Sequence, residues 1–241
     1  MNQTEVFQQK VINIVEHTTQ QNSEKNAFVK ILPQLLEKGL DKINLSMFSE
    51  DMRKDLLNAM GEEYLRKGKF PEAMKSFILT GNKKKLSDLG DEYDKVGLAT
   101  NAIDAYGLAD SKDKLVKIGT RCLNDGRLGD AIKAFRAINN IELLTKVGED
   151  CLKKSRYEYA IEVFNAINNK QKLAELGDKC LQEHHFAYAA KAYELSQDKE
   201  RLTKLGDACL KEGLIKTAVD AYTKSGNEIM IQFIKENFLK E

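Results

Sequence analysis

The sequence predicts an all-α fold, a right-handed solenoid of about six two-helix repeats with a helical cap at each end. Glycine recurs at a constant spacing of 29 residues, and each of these glycines is followed by an alanine after 12 residues and by an aromatic residue after 16. Self-similarity at a fixed period of this length is typical of repeat architectures. The glycines, which we number as repeat position 0, are Gly61, Gly90, Gly119, Gly148, Gly177 and Gly206.

Each repeat is predicted to contain two helices. Apolar residues at positions −4, −1 and +3 mark one face of a first helix, because side chains three and four positions apart share a face. The alanine at +12 and the aromatic residue at +16 mark one face of a second helix. In the second repeat, this spacing predicts helices over Lys83–Val96 and Thr100–Ala109. We expect the glycine to face the alanine, so that the two helix axes approach closely.

Turn and cap residues separate the predicted helices. Four repeats have a glycine at position +7, between the two helices. A residue with a short polar side chain precedes each following first helix, where it can accept a hydrogen bond from a free helical N–H group. These N-cap candidates are Asn82, Ser111, Asn140, Asn169, Asp198 and Asn227.

The combination of leucine at −4, glycine at 0, alanine at +12 and phenylalanine or tyrosine at +16 resembles the tetratricopeptide repeat, from about Leu56 onward. The period of 29 residues is shorter than the roughly 34 residues of that family. Leucine also replaces its large aromatic residue at −4, and its closing proline is missing. Similar shortened units occur in the helical solenoids of coat and intraflagellar transport proteins. The resemblance implies a protein-binding scaffold whose concave groove is lined by positions +1 and +5.

Charged and polar residues occupy those two positions, and two interpretations are open. They recognise a peptide or a partner helix, or they form acid–base pairs four residues apart along each first helix, each worth a few tenths of a kcal/mol. Acidic residues at +1 do not match the lysine and asparagine that the family uses to bind C-terminal carboxylates. The groove candidates are Glu62, Arg66, Asp91, Lys95, Thr120, Asn124, Glu149, Lys153, Asp178, Gln182, Asp207 and Lys211.

The four cysteines share one repeat position, +3. Equivalent residues of successive repeats lie at least about 8–10 Å apart, whereas a disulfide needs Cα atoms within about 7 Å. A zinc site needs several sulfurs at about 2.3 Å from one ion. We therefore expect buried packing residues and neither a disulfide nor a metal site. The cysteines are Cys122, Cys151, Cys180 and Cys209.

Composition narrows the choice of function. The chain has 38 basic and 37 acidic residues and a formal net charge of +1, whereas nucleic-acid-binding proteins carry a basic excess. The sequence contains no apolar run of about 18 residues, so no membrane span is predicted. The N-terminal residues are too polar for a secretory signal. We expect a cytoplasmic protein that binds no nucleic acid, and free cysteines are compatible with a reducing compartment.

No catalytic motif is recognisable, so we expect a protein that is not an enzyme and needs no cofactor. The chain has no glycine-rich phosphate loop, no Gly–x–Ser–x–Gly elbow and no metalloprotease helix. His184 and His185 are adjacent in a predicted turn but lack the companion ligands of a metal motif.

Both ends depart from the repeat. Residues 1–55 are expected to contain helices over Thr4–Thr18 and Lys25–Lys38 and to act as an N-terminal cap or as a docking element. Residues 56–230 form the six repeats, and residues 231–241 are predicted to form a capping helix in which Lys235 replaces the glycine. The predicted function is a scaffold or adaptor that binds a protein or peptide in its groove. The alternative is a structural subunit of a larger complex, joined through the N-terminal region, and the oligomeric state stays open.

Overall fold

The computed structural model describes residues 32–46 and 48–238. Between residues 48 and 238, the described chain contains α-helices and no strand. Helices α1 to α6 are Glu50–Arg66, Phe70–Thr80, Lys83–Lys95, Ala99–Leu108, Lys112–Asn124 and Leu128–Ala137. Helices α7 to α12 are Ile141–Lys153, Tyr157–Ala166, Lys170–Gln182, Phe186–Ser196, Lys199–Lys211 and Ile215–Ser225, and α13 is Glu228–Phe238. The predicted fold class, an all-α solenoid of tetratricopeptide-like repeats, is confirmed.

The helices form two compact units, with the boundary between Ser111 and Lys112. The first unit contains repeats 1 and 2, formed by α1 to α4, and the second contains repeats 3 to 6 and α13. We call the odd-numbered helices A helices and the even-numbered ones B helices. The A and B helices of a repeat are joined by short turns, so they pack as an antiparallel pair. None of the helices in the described ranges is long and apolar enough to cross a bilayer.

Left-handed backbone conformations end the helices at two repeat positions. At position +7, between the A and B helices, φ is positive in every repeat, including 54° at Ser155 and 59° at His184. Position +20, after the B helix, also has positive φ, for example 50° at Asn139. Such a residue after a helix lets the backbone N–H groups that follow bond to the last helical carbonyl groups. The predicted turns are therefore present even where glycine is absent.

The expected hydrogen bond is present at five predicted N-caps. The side chains of Asn82, Asn140, Asn169, Asp198 and Asn227 accept from the backbone N–H three residues later, at 3.0–3.2 Å. At Ser111, the hydroxyl group donates to Oγ of Ser87, 3.1 Å away, and so contacts the preceding A helix. Cap geometry was thus predictable from residue type and spacing alone.

The atoms nearest to each repeat glycine belong to the aromatic residue at +16. A Cβ atom built on Gly177 would lie 2.4 Å from a ring carbon of Tyr193, and one on Gly148 would lie 2.6 Å from Phe164. The other four repeat glycines have equivalent contacts of 2.5–2.7 Å. The ring of the B helix therefore lies directly on the backbone of the A helix, and all six rings are buried. The expected close approach of the two helices is present, and it places an aromatic ring on the glycine backbone.

The N-terminal segment is described only from residue 32. Residues 32–38 are helical and are followed by Gly39, with φ of 76°, and by a 3-10 helix at Leu40–Lys42. The hydroxyl group of Tyr64 donates to the carbonyl oxygen of Leu36, 3.5 Å away, and Lys75 forms an ion pair with Asp41. The predicted helix Thr4–Thr18 and the start of Lys25–Lys38 lie outside the described residues. Whether residues 1–55 form a cap or a docking element stays a prediction.

Replacing a repeat glycine by alanine should destabilise the protein, because the steric overlap of the new methyl group should exceed the gain from alanine's higher helix propensity. We expect Gly148→Ala to lower the free energy of unfolding by about 2 kcal/mol or more, because its methyl group would overlap the buried Phe164 ring. Gly129→Ala is the matched control, since no atom lies within 4 Å of a Cβ built there, and we expect it to raise stability by about 0.5–1 kcal/mol. Urea denaturation followed by circular dichroism measures both. Equal effects of the two substitutions would contradict this packing.

The turn at position +7 should become more stable with glycine. We expect Ser155→Gly to raise the free energy of unfolding by about 0.5–1 kcal/mol, because a left-handed conformation is unfavourable for residues with a Cβ atom. Gly126→Ser, at the equivalent turn with φ of 74°, should have the opposite effect. Thermal denaturation of the two variants beside the parent chain tests the pair, and a loss of stability in Ser155→Gly would show that the serine side chain has another role.

Candidate interaction surface on the A helices

The residues predicted to line the groove lie on the outward side of the A helices. None of the twelve is buried, and all six at position +5 are exposed. They are opposite the face formed by positions −4, −1, 0 and +3, which packs on the B helices. Each unit therefore presents its own row of these side chains on the surface of its A helices.

Three acids at position +1 are hydrogen-bonded to tyrosines of their own repeat. The tyrosine hydroxyl group at +16 donates to the aspartate, with distances of 2.9 Å for Tyr106–Asp91, 2.9 Å for Tyr193–Asp178 and 2.7 Å for Tyr222–Asp207. In the other three repeats, the ring at +16 is phenylalanine and the residue at +1 is glutamate or threonine. A tyrosine whose ring is buried needs a partner for its hydroxyl group. These three aspartates are therefore part of the packing between helices A and B.

The acid at +1 also pairs with the base at −5 of the next repeat. The ion-pair distances are 2.7 Å for Glu62–Lys85, 3.2 Å for Glu149–Lys172 and 2.9 Å for Asp178–Arg201. These pairs connect neighbouring A helices within a unit. Each is at least partly exposed, so it contributes under about 1 kcal/mol, but together they determine which carboxylates remain for a partner.

The alternative interpretation, acid–base pairing between +1 and +5, is wrong in repeats 1 and 2. Arg66 forms its ion pair with Glu63, and Lys95 forms one with Glu92 at 2.6 Å, so each base contacts the acid three residues before it. The acid at +1 is directed toward the next A helix or toward its own tyrosine instead. Sequence spacing could not distinguish these partners, because the competing groups come from other helices.

Asp178 belongs to a network of hydrogen bonds and ion pairs that joins two repeats. Nε of Arg201 lies 2.9 Å from Oδ1 of Asp178, and Nη1 of Arg201 lies 2.6 Å from Oδ2 of Asp198, the N-cap of α11. The backbone N–H of Arg201 lowers the pKa of Asp198. Burial, followed by the bond to Asp178, raises the pKa of Tyr193. This network connects repeats 5 and 6 through Arg201.

A cleft of about 320 Å³ lies beside this network, between α9, α11 and the end of α10. Its lining is polar and of mixed charge, with Lys170, Glu175 and Arg201 among the contributors. Ala174 is at position −3, where repeat 1 has Asn58, whose side chain bonds to Thr80 and Asn82. The smaller alanine at this position of repeat 5 leaves space between the A helices.

Sequence reasoning missed an apolar site on α13. Ile229 is 82% exposed and Phe233 is 45% exposed. They occupy positions −6 and −2, where the six repeats carry polar or charged residues with the single exception of Ala59. In repeats 4 and 6 these positions hold the ion pairs Glu142–Lys146 and Glu200–Lys204, each at 2.6 Å. The sequence did contain this signal, because apolar residues occupy positions −6 and −2 of α13 and these positions take no part in the packing of helices A and B.

The four cysteines are free and buried, as predicted. Burial raises the pKa of each thiol, to about 11 for Cys151 and to about 12 for Cys180. Such thiols stay protonated and unreactive at neutral pH, so they act in packing.

The paired histidines form a local aromatic cluster. The ring of His185 lies 5.4 Å from that of Tyr157, and Nδ1 of His184 lies 3.7 Å from a carboxylate oxygen of Glu212. Within the described ranges, no group of three or more His, Cys, Asp or Glu side chains is placed to hold a metal ion.

Comparison with known proteins yields structural likenesses only. No protein-family model and no curated protein matches the chain. The crystal structure of MamA protein is 16% identical over 78% of this chain and 97% of that one, with a TM-score of 0.27. A circular tandem repeat protein with novel repeat topology and enhanced subunit contact surfaces is 15% identical over 93% of this chain, with a TM-score of 0.25. This chain spans 60% of the length of the latter protein. By its own helix order and glycine–aromatic contacts, the chain folds as a tetratricopeptide-like helical repeat protein.

The raised thiol pKa values predict instability at alkaline pH. An unfolded thiol titrates near 8.5, so above this pH the unfolded chain loses protons that the native chain keeps, and the free energy of unfolding falls as pH rises toward 11. We expect the fall to be smaller in Cys151→Ala/Cys180→Ala, although that variant is less stable at pH 7. Urea denaturation at a series of pH values under reducing conditions measures both slopes. A parent slope that the substitutions leave unchanged would contradict the assignment to these thiols.

Proposed function

We propose that the chain is a non-catalytic scaffold that binds a protein or peptide on the exposed faces of its A helices. The observation that supports this function is a difference between positions +1 and +5 on those faces. The acids at +1 are mostly bonded within the protein, whereas the side chains at +5 are exposed in all six repeats. A helical repeat with an extended polar face is suited to binding extended or helical segments. Buried free thiols are compatible with a cytoplasmic location.

The twelve predicted groove residues divide into two groups under this proposal. Those at +5, such as Lys153 and Lys211, are available to contact a partner directly. Those at +1, such as Glu149 and Asp178, shape the surface through their bonds to neighbouring residues. Substitution of the second group would therefore affect stability as well as binding.

A structural subunit of a larger complex is the second candidate. The observation that favours it is an apolar group on the B helices of the first unit, where Ile78, Leu79 and Leu108 are 47%, 57% and 47% exposed. Exposed large apolar side chains are candidates for contact with a partner. Assembly through the N-terminal region stays a prediction.

Charge reversal on the A helices should remove binding. We expect Lys153→Glu/Lys211→Glu to lose the proteins that the parent chain captures from cell extract, because both side chains lie at +5. Lys191→Glu/Lys216→Glu is the matched control, with the same charge change at exposed positions of B helices. Quantitative mass spectrometry of the captured proteins compares the three. Equal capture by both variants would reject the A-helix surface, and loss in the B-helix variant alone would support assembly through the other side.

A further inference from the structure

The outward face of the last A helix combines two departures from the repeat. The first is the exposed apolar pair Ile229 and Phe233, at positions where the A helices of repeats 4 and 6 have an acid–base pair. Because Ile229 is 82% exposed, burial of its side chain contributes almost no hydrophobic free energy to folding. Exposed apolar residues where the equivalent positions are charged indicate a surface that a partner covers.

The second departure concerns Asp207, on the neighbouring A helix α11. Glu62, Glu149 and Asp178 each receive a base from position −5 of the next repeat, but Asp207 has Met230 at that place. It accepts a hydrogen bond from Tyr222, 2.7 Å away, and is exposed. Among residues 48–238, no cation lies within ion-pair distance of it. The carboxylate of Asp207 therefore lacks the ion pair with the next A helix that the equivalent carboxylates of repeats 1, 4 and 5 form.

We propose that α11 and α13 bind an amphipathic segment of another protein, whose basic side chain pairs with Asp207 and whose apolar side chains cover Ile229 and Phe233. The site rests on the proposed scaffold function and names the chemistry of one partner. The partner's basic side chain takes the role that the base at −5 of the next repeat has for repeats 1, 4 and 5. Apolar anchors next to a charge pair provide both affinity and register.

A second copy of the chain does not have this chemistry on α13. Successive residues of an α-helix are rotated by about 100°, so the base Lys235 lies roughly opposite Phe233 around the helix. The helix cannot present Lys235 and the pair Ile229–Phe233 to the same surface. A B helix of the repeat type is also excluded from the face at position 0, because Lys235 replaces the glycine on which an aromatic ring would lie.

The repeat itself supplies variants that keep the fold. Ile229→Glu/Phe233→Lys installs the acid–base pair of repeats 4 and 6 on α13 and removes the apolar anchors. Met230→Lys places a base at −5, as in repeats 2 and 5, where that base pairs with the acid of the preceding repeat, and it supplies Asp207 with a partner from within the chain. Both changes copy sequences that already fold in this chain, so we expect thermal stability to be kept. Glu142→Lys/Lys146→Glu, which exchanges a pair on the outward face of repeat 4, is the matched control.

The probe is a phage-displayed library of random dodecapeptides, selected on the parent chain with Ile229→Glu/Phe233→Lys as the counter-selecting protein. We expect enriched peptides to carry lysine or arginine about one helical turn from leucine, isoleucine or phenylalanine. In fluorescence anisotropy, the affinity of synthetic versions should fall about tenfold or more in Ile229→Glu/Phe233→Lys. It should fall about threefold to tenfold in Met230→Lys and stay unchanged in the control.

Four outcomes would overturn the inference. The first is the absence of an enriched basic and apolar pattern, and the second is peptide binding that Met230→Lys leaves unchanged. The third is a dimer in light scattering of the parent chain that becomes a monomer in Ile229→Glu/Phe233→Lys, which would show that a second copy covers the patch. Peptides that bind the parent but lose affinity only in Lys153→Glu/Lys211→Glu would overturn this site and leave the scaffold function in place.

Discussion

In each repeat, an aromatic ring from helix B lies on the backbone of helix A at a glycine, and the other packing of the repeat is arranged around this contact. A Cβ atom at any of these glycines would lie within 2.4–2.7 Å of a ring carbon. A glycine inside a helix costs about 1 kcal/mol relative to alanine. The cost is offset because a whole aromatic side chain becomes buried, together with the small residues beside it.

The identity of that ring influences the outward surface. Where the ring belongs to tyrosine, its hydroxyl group extends past the glycine to the residue at +1, and that residue is aspartate in all three repeats. Where the ring is phenylalanine, glutamate or threonine occupies the position, and Glu62 and Glu149 are available to pair with the next A helix. Core packing and surface charge are thus coupled, and the acids at +1 have a structural role that does not depend on a binding partner.

The same coupling distinguishes α13 from the A helices of the six repeats. Within each unit, bases at −5 neutralise the acids of the preceding repeat, and ion pairs at −6 and −2 keep the outward face solvated in repeats 4 and 6. On α13 all three of these positions are apolar, as Ile229, Met230 and Phe233. The internal charge partners that the repeats provide are therefore missing on the outward face of α13.

The sequence by itself determined the all-α class, the six repeats, most helix ends and the role of the cysteines, because periodicity and cap chemistry are local properties. The second-repeat helices, predicted over Lys83–Val96 and Thr100–Ala109, were correct to within one residue at each end. Only the tertiary structure decided that the aromatic ring at +16 lies directly on the glycine. It also decided that Glu62 pairs with Lys85 and not Arg66, and that Asp178 is shared by Tyr193 and Arg201. These choices depend on the distances between side chains of different helices, and a one-dimensional pattern does not contain those distances.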